Sequence, residues 1–256
     1  MAQLTGMVAI VTGTSSGIGR ASATALAEAG CRVVVHGREP DDVEKVVDDL
    51  TARGFEAIYV GADLTLPAAS VKRLADAARS TWGRIDIVVN NAAAIMHKPI
   101  TDLTEDDWAT VFAVNVQAPF FLVQECTPDL ITTRGCVIMI SSTNALQVNR
   151  NNLVYDSSKA ALNHLSQALA LELRDFGIRV NTLMPGGTET PSVRRWARDF
   201  TGDDQHAQQL IAEEVRTGKI AQPAQIADGV LMLASGQVDW INGAVIAIDG
   251  GYRLGQ

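Results

Sequence analysis

Tyr155 and Lys159 stand four residues apart in Tyr-Asp-Ser-Ser-Lys, within a stretch from Leu153 to Phe176 whose pattern predicts one helix. Four residues is about one helical turn, so the two side chains leave the same face. A phenol ordinarily titrates near pH ~10. An ammonium held beside it favours the phenolate and pulls that value toward neutral pH. Such a tyrosine can give a proton to a carbonyl oxygen or take one from an alcohol. Tyr and Lys fall four apart on many exposed helices, so the surrounding chain has to supply the context for this chemistry.

A second chemistry-bearing segment is Thr12-Gly13-Thr14-Ser15-Ser16-Gly17-Ile18-Gly19, directly after an apolar run. Glycines at a strand-to-helix turn let the backbone approach a pyrophosphate closely. The helix that follows adds free N–H groups and a positive dipole end. The spacing is G-x-x-x-G-x-G, not a literal G-x-G-x-x-G. The same residues also match G-x-S-x-G, the nucleophile elbow of serine hydrolases, with Ser15 at its centre. That elbow normally follows several strands, one of which leads into an oxyanion-donating loop. Here it lies on the first strand, and His36, His97, His164 and His206 carry no local signature. Phosphate binding is the stronger reading.

The elements that must position these residues alternate regularly. Strands are predicted at Val8–Val11, Arg32–His36, Ala57–Val60, Ile85–Val89, Val137–Ile140, Arg179–Leu183 and Val245–Ile248. Several are continuously apolar, as parallel strands covered on both faces are. Helices are predicted at Ile18–Ala29, Asp41–Ala52, Ala68–Trp82, Glu105–Leu130, Leu153–Phe176 and Ala224–Ala234. This order predicts an α/β fold with a parallel sheet and right-handed crossovers. No repeat or linker interrupts it, so residues 1–256 read as one domain, with an insertion of no clear periodicity at about 185–218. Apolar residues make up 47% and charged residues 20%, an ordinary globular composition. The net charge of −8 speaks against nucleic acid or an anionic membrane as a general partner. No apolar run nears the ~20 residues that span a bilayer, and no secretory signal opens the chain. Cys31, Cys126 and Cys136 lack metal-ligand spacing and read as buried thiols in a reducing cytoplasm.

Taken together, Thr12 to Gly19, Asn90-Asn91-Ala92-Ala93, Asn115, Ser142, the Tyr155/Lys159 pair, Pro185-Gly186-Gly187-Thr188-Glu189-Thr190 and Ile248-Asp249-Gly250-Gly251 resemble the short-chain dehydrogenase/reductase superfamily. Within it, the 3-oxoacyl-reductase-like and glucose-dehydrogenase-like branch is the nearest likeness. The resemblance spans nearly the whole chain, and Ser142 lies 13 residues before Tyr155 as the family pattern requires; Ser141 breaks that spacing. It implies a Rossmann-type doubly wound sheet of seven strands with helices on both faces. It implies Tyr155 as general acid in reduction and general base in oxidation, with Lys159 lowering its pKa and holding the nicotinamide ribose. Ser142 would hold the substrate oxygen, and Asn115 would position a water linking Lys159 to solvent.

The cofactor contacts implied are Gly13, Ser15, Ser16, Gly17, Ile18 and Gly19 on the pyrophosphate side. Asp63 and Leu64 border the adenine, Asn91 and Ala92 the adenosine ribose. Pro185, Gly186, Thr188 and Thr190 lie at the carboxamide. Gly37 stands where NAD-preferring members carry Asp, and Arg38 follows with a guanidinium suited to a 2′-phosphate. NADP(H) is therefore expected over NAD(H), although Ser16 fills a loop position often basic in NADP-preferring relatives. Two departures are Ala93, in place of a glycine, and Gly187, which either enlarges the site or loosens its loop. The substrate that the resemblance implies is a carbonyl or secondary alcohol. The polar run Asn144, Gln147, Asn149, Arg150, Asn151 and Asn152 suits a hydroxylated one, and Arg194, Arg195 and Arg198 are candidates to grip an anion. Two other readings are an NAD-dependent sugar or hydroxyacid dehydrogenase and a dinucleotide sensor without turnover. The long helices resemble those that build the family's homotetramer.

Overall fold

Seven apolar runs become strands: β1 (Val8–Val11), β2 (Arg32–Gly37), β3 (Ala57–Gly61), β4 (Ile87–Asn90), β5 (Cys136–Ile140), β6 (Arg179–Pro185) and β7 (Val245–Ile248). Between them lie α1 (Gly17–Glu28), α2 (Pro40–Ala52), α3 (Pro67–Trp82), α4 (Glu105–Phe112), α5 (Ala118–Thr133), α6 (Leu153–Leu173), α7 (Pro191–Thr201), α8 (Asp204–Arg216) and α9 (Pro223–Ala234). These elements come from a computed structural model that describes residues 4–254, so residues 1–3 and 255–256 of the expected span lie outside it.

All strand pairs are parallel, in the order β3-β2-β1-β4-β5-β6-β7. Successive side chains on a strand point to opposite faces. Val8 and Ile10 accordingly pack with Leu74, Leu122 and Leu162, from α3, α5 and α6. Ala9 and Val11 pack with Leu26, Val46 and Val230, from α1, α2 and α9. Both faces are buried, which is why these strands read as continuous apolar runs rather than alternating ones. The strand order reverses direction between β1 and β4, and the crevice beyond the carboxyl ends at such a point is where ligands of this architecture bind.

Three segments differ from the expected pattern. β4 begins at Ile87, because Asp86 bonds β1 with its side chain: its carboxylate accepts from the Val8 N–H at 2.8 Å. The helix expected over Glu105–Leu130 is two helices joined by a π-helical stretch, Ala113–Gln117. Pro119 has no N–H to give the Asn115 carbonyl four residues back, so the ladder shifts there. The 185–218 segment is not irregular but holds α7 and α8. Thr190 and Asp203 cap these helices through the N–H groups of Val193 and His206, and Gly202 turns between them at φ 72°. The charge density of α7 masks its apolar stripe, yet Ala197 packs against Ala207 and Ile211. Among the described residues, no helix is long and apolar enough to cross a membrane.

Candidate active site

The loop after β1 is built from backbone contacts that only glycine permits. Gly13 has φ 69°, and a Cβ there would come within 2.8 Å of the Ala92 backbone. A Cβ on Gly19 would collide with the Gly13 carbonyl and the Asn91 amide. Thr12 and Asn91 lock this loop to the one after β4. The Thr12 hydroxyl accepts from the N–H groups of Asn91 and Ala92 at 3.0 Å each, and Asn91 Nδ2 donates to the carbonyls of Thr12 and Gly13 at 2.8 and 3.0 Å. His36 locks it to β2 and β3: Gly13 N–H donates to Nδ1 at 3.1 Å, and Nε2 bonds the Ala62 carbonyl at 3.0 Å. Burial holds its pKa below the ordinary value, keeping the ring neutral for that acceptor role. Both ring nitrogens are committed to backbone groups, so His36 does not activate Ser15. Ser16 stands at the head of α1 in extended backbone, and its side chain makes no capping bond. Its hydroxyl and the N–H groups of the helix head therefore suit a phosphate.

At the end of β2, a Cβ on Gly37 would collide with Val43 Cγ2. A side chain placed there has to displace that Val43 methyl. Arg38 is exposed and forms no ion pair among the described residues. The Asp63 carboxyl is held below its ordinary value, chiefly by the Thr65 N–H, with the Arg38 charge contributing.

The Tyr155 and Lys159 side chains share one face of α6, with Lys159 Nζ 5.7 Å from the centre of the Tyr155 ring. The ammonium is directed elsewhere, donating to the Ile140 carbonyl at 2.9 Å. Burial pushes the Tyr155 phenol up to about 12, against a hydrogen bond with Ser142 that lowers it, and the Asp156 charge raises it further. This reverses the direction expected from spacing, because spacing reports proximity and not desolvation. Burial also pushes Lys159 down to about 8. The two neighbouring serines separate clearly. Ser141 is buried and donates to the Lys159 carbonyl at 3.3 Å, whereas Ser142 faces the phenol and accepts from the Asn144 N–H at 3.2 Å.

A cleft of about 840 Å³ brings together Gly13, Ser15 to Gly19, Arg38, Asp63, Leu64, Asn91, Ala92, Ser142, Tyr155, Lys159, Pro185, Gly186, Thr188 and Thr190. Asn115 is the exception. It is fully buried behind the cleft, with Oδ1 accepting from Ala94 N–H at 2.8 Å and Nδ2 donating to the Ala94 carbonyl and Ser158 Oγ at 2.9 Å each. Its side chain braces the β4 loop against α6 and is not spare for a water. The Thr190 hydroxyl caps α7. Gly187 does not loosen its loop, since its carbonyl accepts from Ala221 N–H at 2.8 Å and Thr188 bridges to Ala221. Ala93 lines the cleft. Arg194 pairs with Glu189 at 2.5 Å and Arg198 with Asp204 at 3.2 Å; with Arg195 they lie outside the cleft lining, which removes the anion-gripping role. Thr12, His36, Ser158 and Asp156 are the positioning groups that sequence reading missed. A polar residue ending an apolar strand was the available signal for His36.

This is the fold and cleft of a dinucleotide-dependent α/β enzyme. A family model described as enoyl-(acyl carrier protein) reductase matches residues 13–253. A 2,5-dichloro-2,5-cyclohexadiene-1,4-diol dehydrogenase of Sphingobium indicum is 34% identical over 99% of this chain and 98% of its own. Among solved structures, the L-sorbose reductase of Gluconobacter frateurii complexed with NADPH and L-sorbose superposes with a TM-score of 0.92 at 28% identity, covering 98% of both chains. A 3-oxoacyl (acyl-carrier-protein) reductase of Agrobacterium tumefaciens with NADP bound gives 0.86 at 31% identity, covering 97% of this chain and 95% of the other. The chain belongs to the short-chain dehydrogenase/reductase superfamily, and it is an oxidoreductase.

Proposed function

We propose that this enzyme is an NADP(H)-dependent carbonyl reductase or alcohol dehydrogenase whose proton chemistry is carried by Tyr155, with Ser142, Lys159 and Asn115 in support. The observation that carries the reading is the shared cleft: Tyr155, Ser142 and Lys159 line the same cavity as the glycine loop and Arg38. The nicotinamide, when bound, supplies or accepts the hydride. Gly13, Ser15 to Gly19, Asn91 and Ala92 would hold the dinucleotide, with Asp63 and Leu64 at the adenine end. Pro185, Gly186, Thr188 and Thr190 would lie at the carboxamide end. Gly37, which brings no carboxylate, and the Arg38 guanidinium, which forms no ion pair among the described residues, favour a 2′-phosphate over a bare ribose hydroxyl. One of the three Lys159 N–H donors goes to Ile140, which leaves two for the nicotinamide ribose.

A phenol held at about 12 keeps its proton at neutral pH and gives it up only as the substrate oxygen gains negative charge. Ser142 donates to the carbonyl oxygen as negative charge develops there, and Tyr155 then delivers its proton. Asn115 sets the distance between the β4 loop and α6. On the substrate side, Gln147, Asn149 and Arg150 line the cleft with α7 and α8 above, which suits a hydroxylated carbonyl. The relatives are named for a cyclic diol and a ketose, both of them hydroxylated.

A panel of ketoses, aldonates, cyclic diols and simple ketones, assayed with NADPH and NADH side by side, tests this. Turnover with NADPH at higher kcat/KM than with NADH supports it. Tight dinucleotide binding with no turnover anywhere would make the protein a sensor, and a clear NADH preference would refute the argument from Arg38. The exposed apolar side chains of Trp108, Ile131, Leu171 and Phe176 support a homotetramer. Light scattering at four times the 27.3 kDa chain mass is the check. Three buried cysteines without disulfides support a cytoplasmic home.

A further inference from the structure

Asp156, directly after the proposed proton donor, is a buried carboxylate that no part of the preceding mechanism uses. It is only 6% exposed, and it forms no ion pair among the described residues. Charge buried in this way has to be satisfied by hydrogen bonds. The bonds it receives all come from one place. Oδ1 accepts from Asn144 Nδ2 at 2.9 Å and from Asn152 Nδ2 at 2.5 Å, and Oδ2 accepts from the Asn149 N–H at 2.9 Å. The loop from Ser142 to Asn152 has little regular structure beyond a 3-10 turn at Thr143–Ala145. A single carboxylate on α6 therefore takes the place that a backbone ladder would otherwise fill. One of its donors leads straight to the reacting groups, because the same Asn144 gives its N–H to Ser142 Oγ at 3.2 Å.

We propose that Asp156 is the positioning residue of the substrate wall: it pins the 142–152 loop to α6 and, through Asn144, fixes the Ser142 hydroxyl relative to Tyr155. This rests on the oxidoreductase reading only for its consequence in turnover; the clamp itself is testable without any substrate. Two donors of the polar run are thereby consumed inside the protein. Gln147, Asn149 and Arg150 are left as the side chains that present the wall to the cleft. The carboxylate also stands next to the phenol in sequence and space, so its negative charge opposes ionisation of Tyr155. On the 142–159 side of the cleft the other charged or titratable groups are Tyr155, Lys159 and Arg150, with His97 across from them; His36, Arg38, Asp63, Glu214, Lys219 and Tyr252 line the rest of it. None forms an ion pair with Asp156 among the described residues, and Lys98 pairs with Asp107 at 2.7 Å.

The test uses the full chain with Asp156→Ala and Asp156→Asn, and two readouts. Amide exchange by NMR should show the Asn144 and Asn149 N–H groups exchanging at least tenfold faster in Asp156→Ala, with the β5 and β6 amides unchanged. Asp156→Asn keeps one acceptor oxygen and should restore protection at one of the two sites, not both. The second readout is the phenolate absorbance of Tyr155, isolated by subtracting a Tyr155→Phe background. Its titration midpoint should fall to lower pH in both variants, which a purely structural residue would not cause. Unchanged exchange in Asp156→Ala, a rise spread across the sheet amides, or an unmoved phenolate titration each overturns the proposal. A wild-type enzyme that turns over nothing would instead overturn the oxidoreductase reading while leaving both readouts decisive for the clamp.

Discussion

Replacing Lys159 with methionine should stabilise the fold while abolishing its chemistry. The side chain is 2% exposed, and burial lowers its pKa from the ordinary 10.5 to about 8. That gap corresponds to roughly 3 kcal/mol held against the folded state whenever the amine is charged. Methionine removes the charge at similar length but forfeits the bond to the Ile140 carbonyl, worth about 1 kcal/mol. The net gain of about 2 kcal/mol at pH 7 translates into a rise in Tm of about 4–8 °C for a chain of this size. The sign with pH follows from linkage. Between about 8 and 10.5 the unfolded chain holds a proton that the folded chain has released, so wild-type stability rises through that window and the penalty disappears. The advantage of Lys159→Met should therefore fall to about zero by pH 10, where the remaining penalty of about 1 kcal/mol matches the lost hydrogen bond. Thermal unfolding followed by circular dichroism at pH 7, 8.5 and 10, without added dinucleotide, measures it. A variant less stable at pH 7, or one whose gain is independent of pH, would refute the reasoning.

Arg38→Ala should raise the NADPH Kd about 10–100-fold, the range of a charge-assisted phosphate contact, while NADH affinity moves by less than about threefold. Equal losses for both, read by cofactor fluorescence titration, would mean that the guanidinium stacks on adenine instead. Because the Tyr155 phenol is pushed up to about 12, alcohol oxidation, which needs the phenolate, should gain about tenfold in kcat/KM per pH unit from pH 7 to 10. Carbonyl reduction, which needs the phenol, should stay level over that range; a plateau in oxidation below pH 9 would contradict this.

The sheet was legible because its strands are buried on both faces: runs such as Val33-Val34-Val35 admit few other readings. The glycine loop and the Tyr155/Lys159 pair could be read from a strand-to-helix turn and a helix face that follow from local periodicity, whereas Ser142 was singled out only by the family pattern of its spacing to Tyr155. What stayed hidden depends on contacts between distant segments. His36 looked like one more histidine until the fold brought Gly13 and Ala62 to its two nitrogens. Asp156 drew no reading of its own, since nothing local shows that three donors from the preceding loop return to it. Asn115 shows the same limit, its amide spent on Ala94 and Ser158 across long sequence separations. The direction of the Tyr155 shift was lost for a related reason, because burial is a tertiary quantity. α7 and α8 went unread because so few apolar residues line their contact.

Tyr155→Phe puts the proton-transfer role to its most direct test, in a single-turnover experiment paired with a binding titration. NADPH affinity should stay within about twofold, since the phenol ring and its packing remain, while the rate of carbonyl reduction in the bound complex should fall roughly 10²–10⁴-fold. Near-normal turnover in that variant would remove Tyr155 from the chemistry.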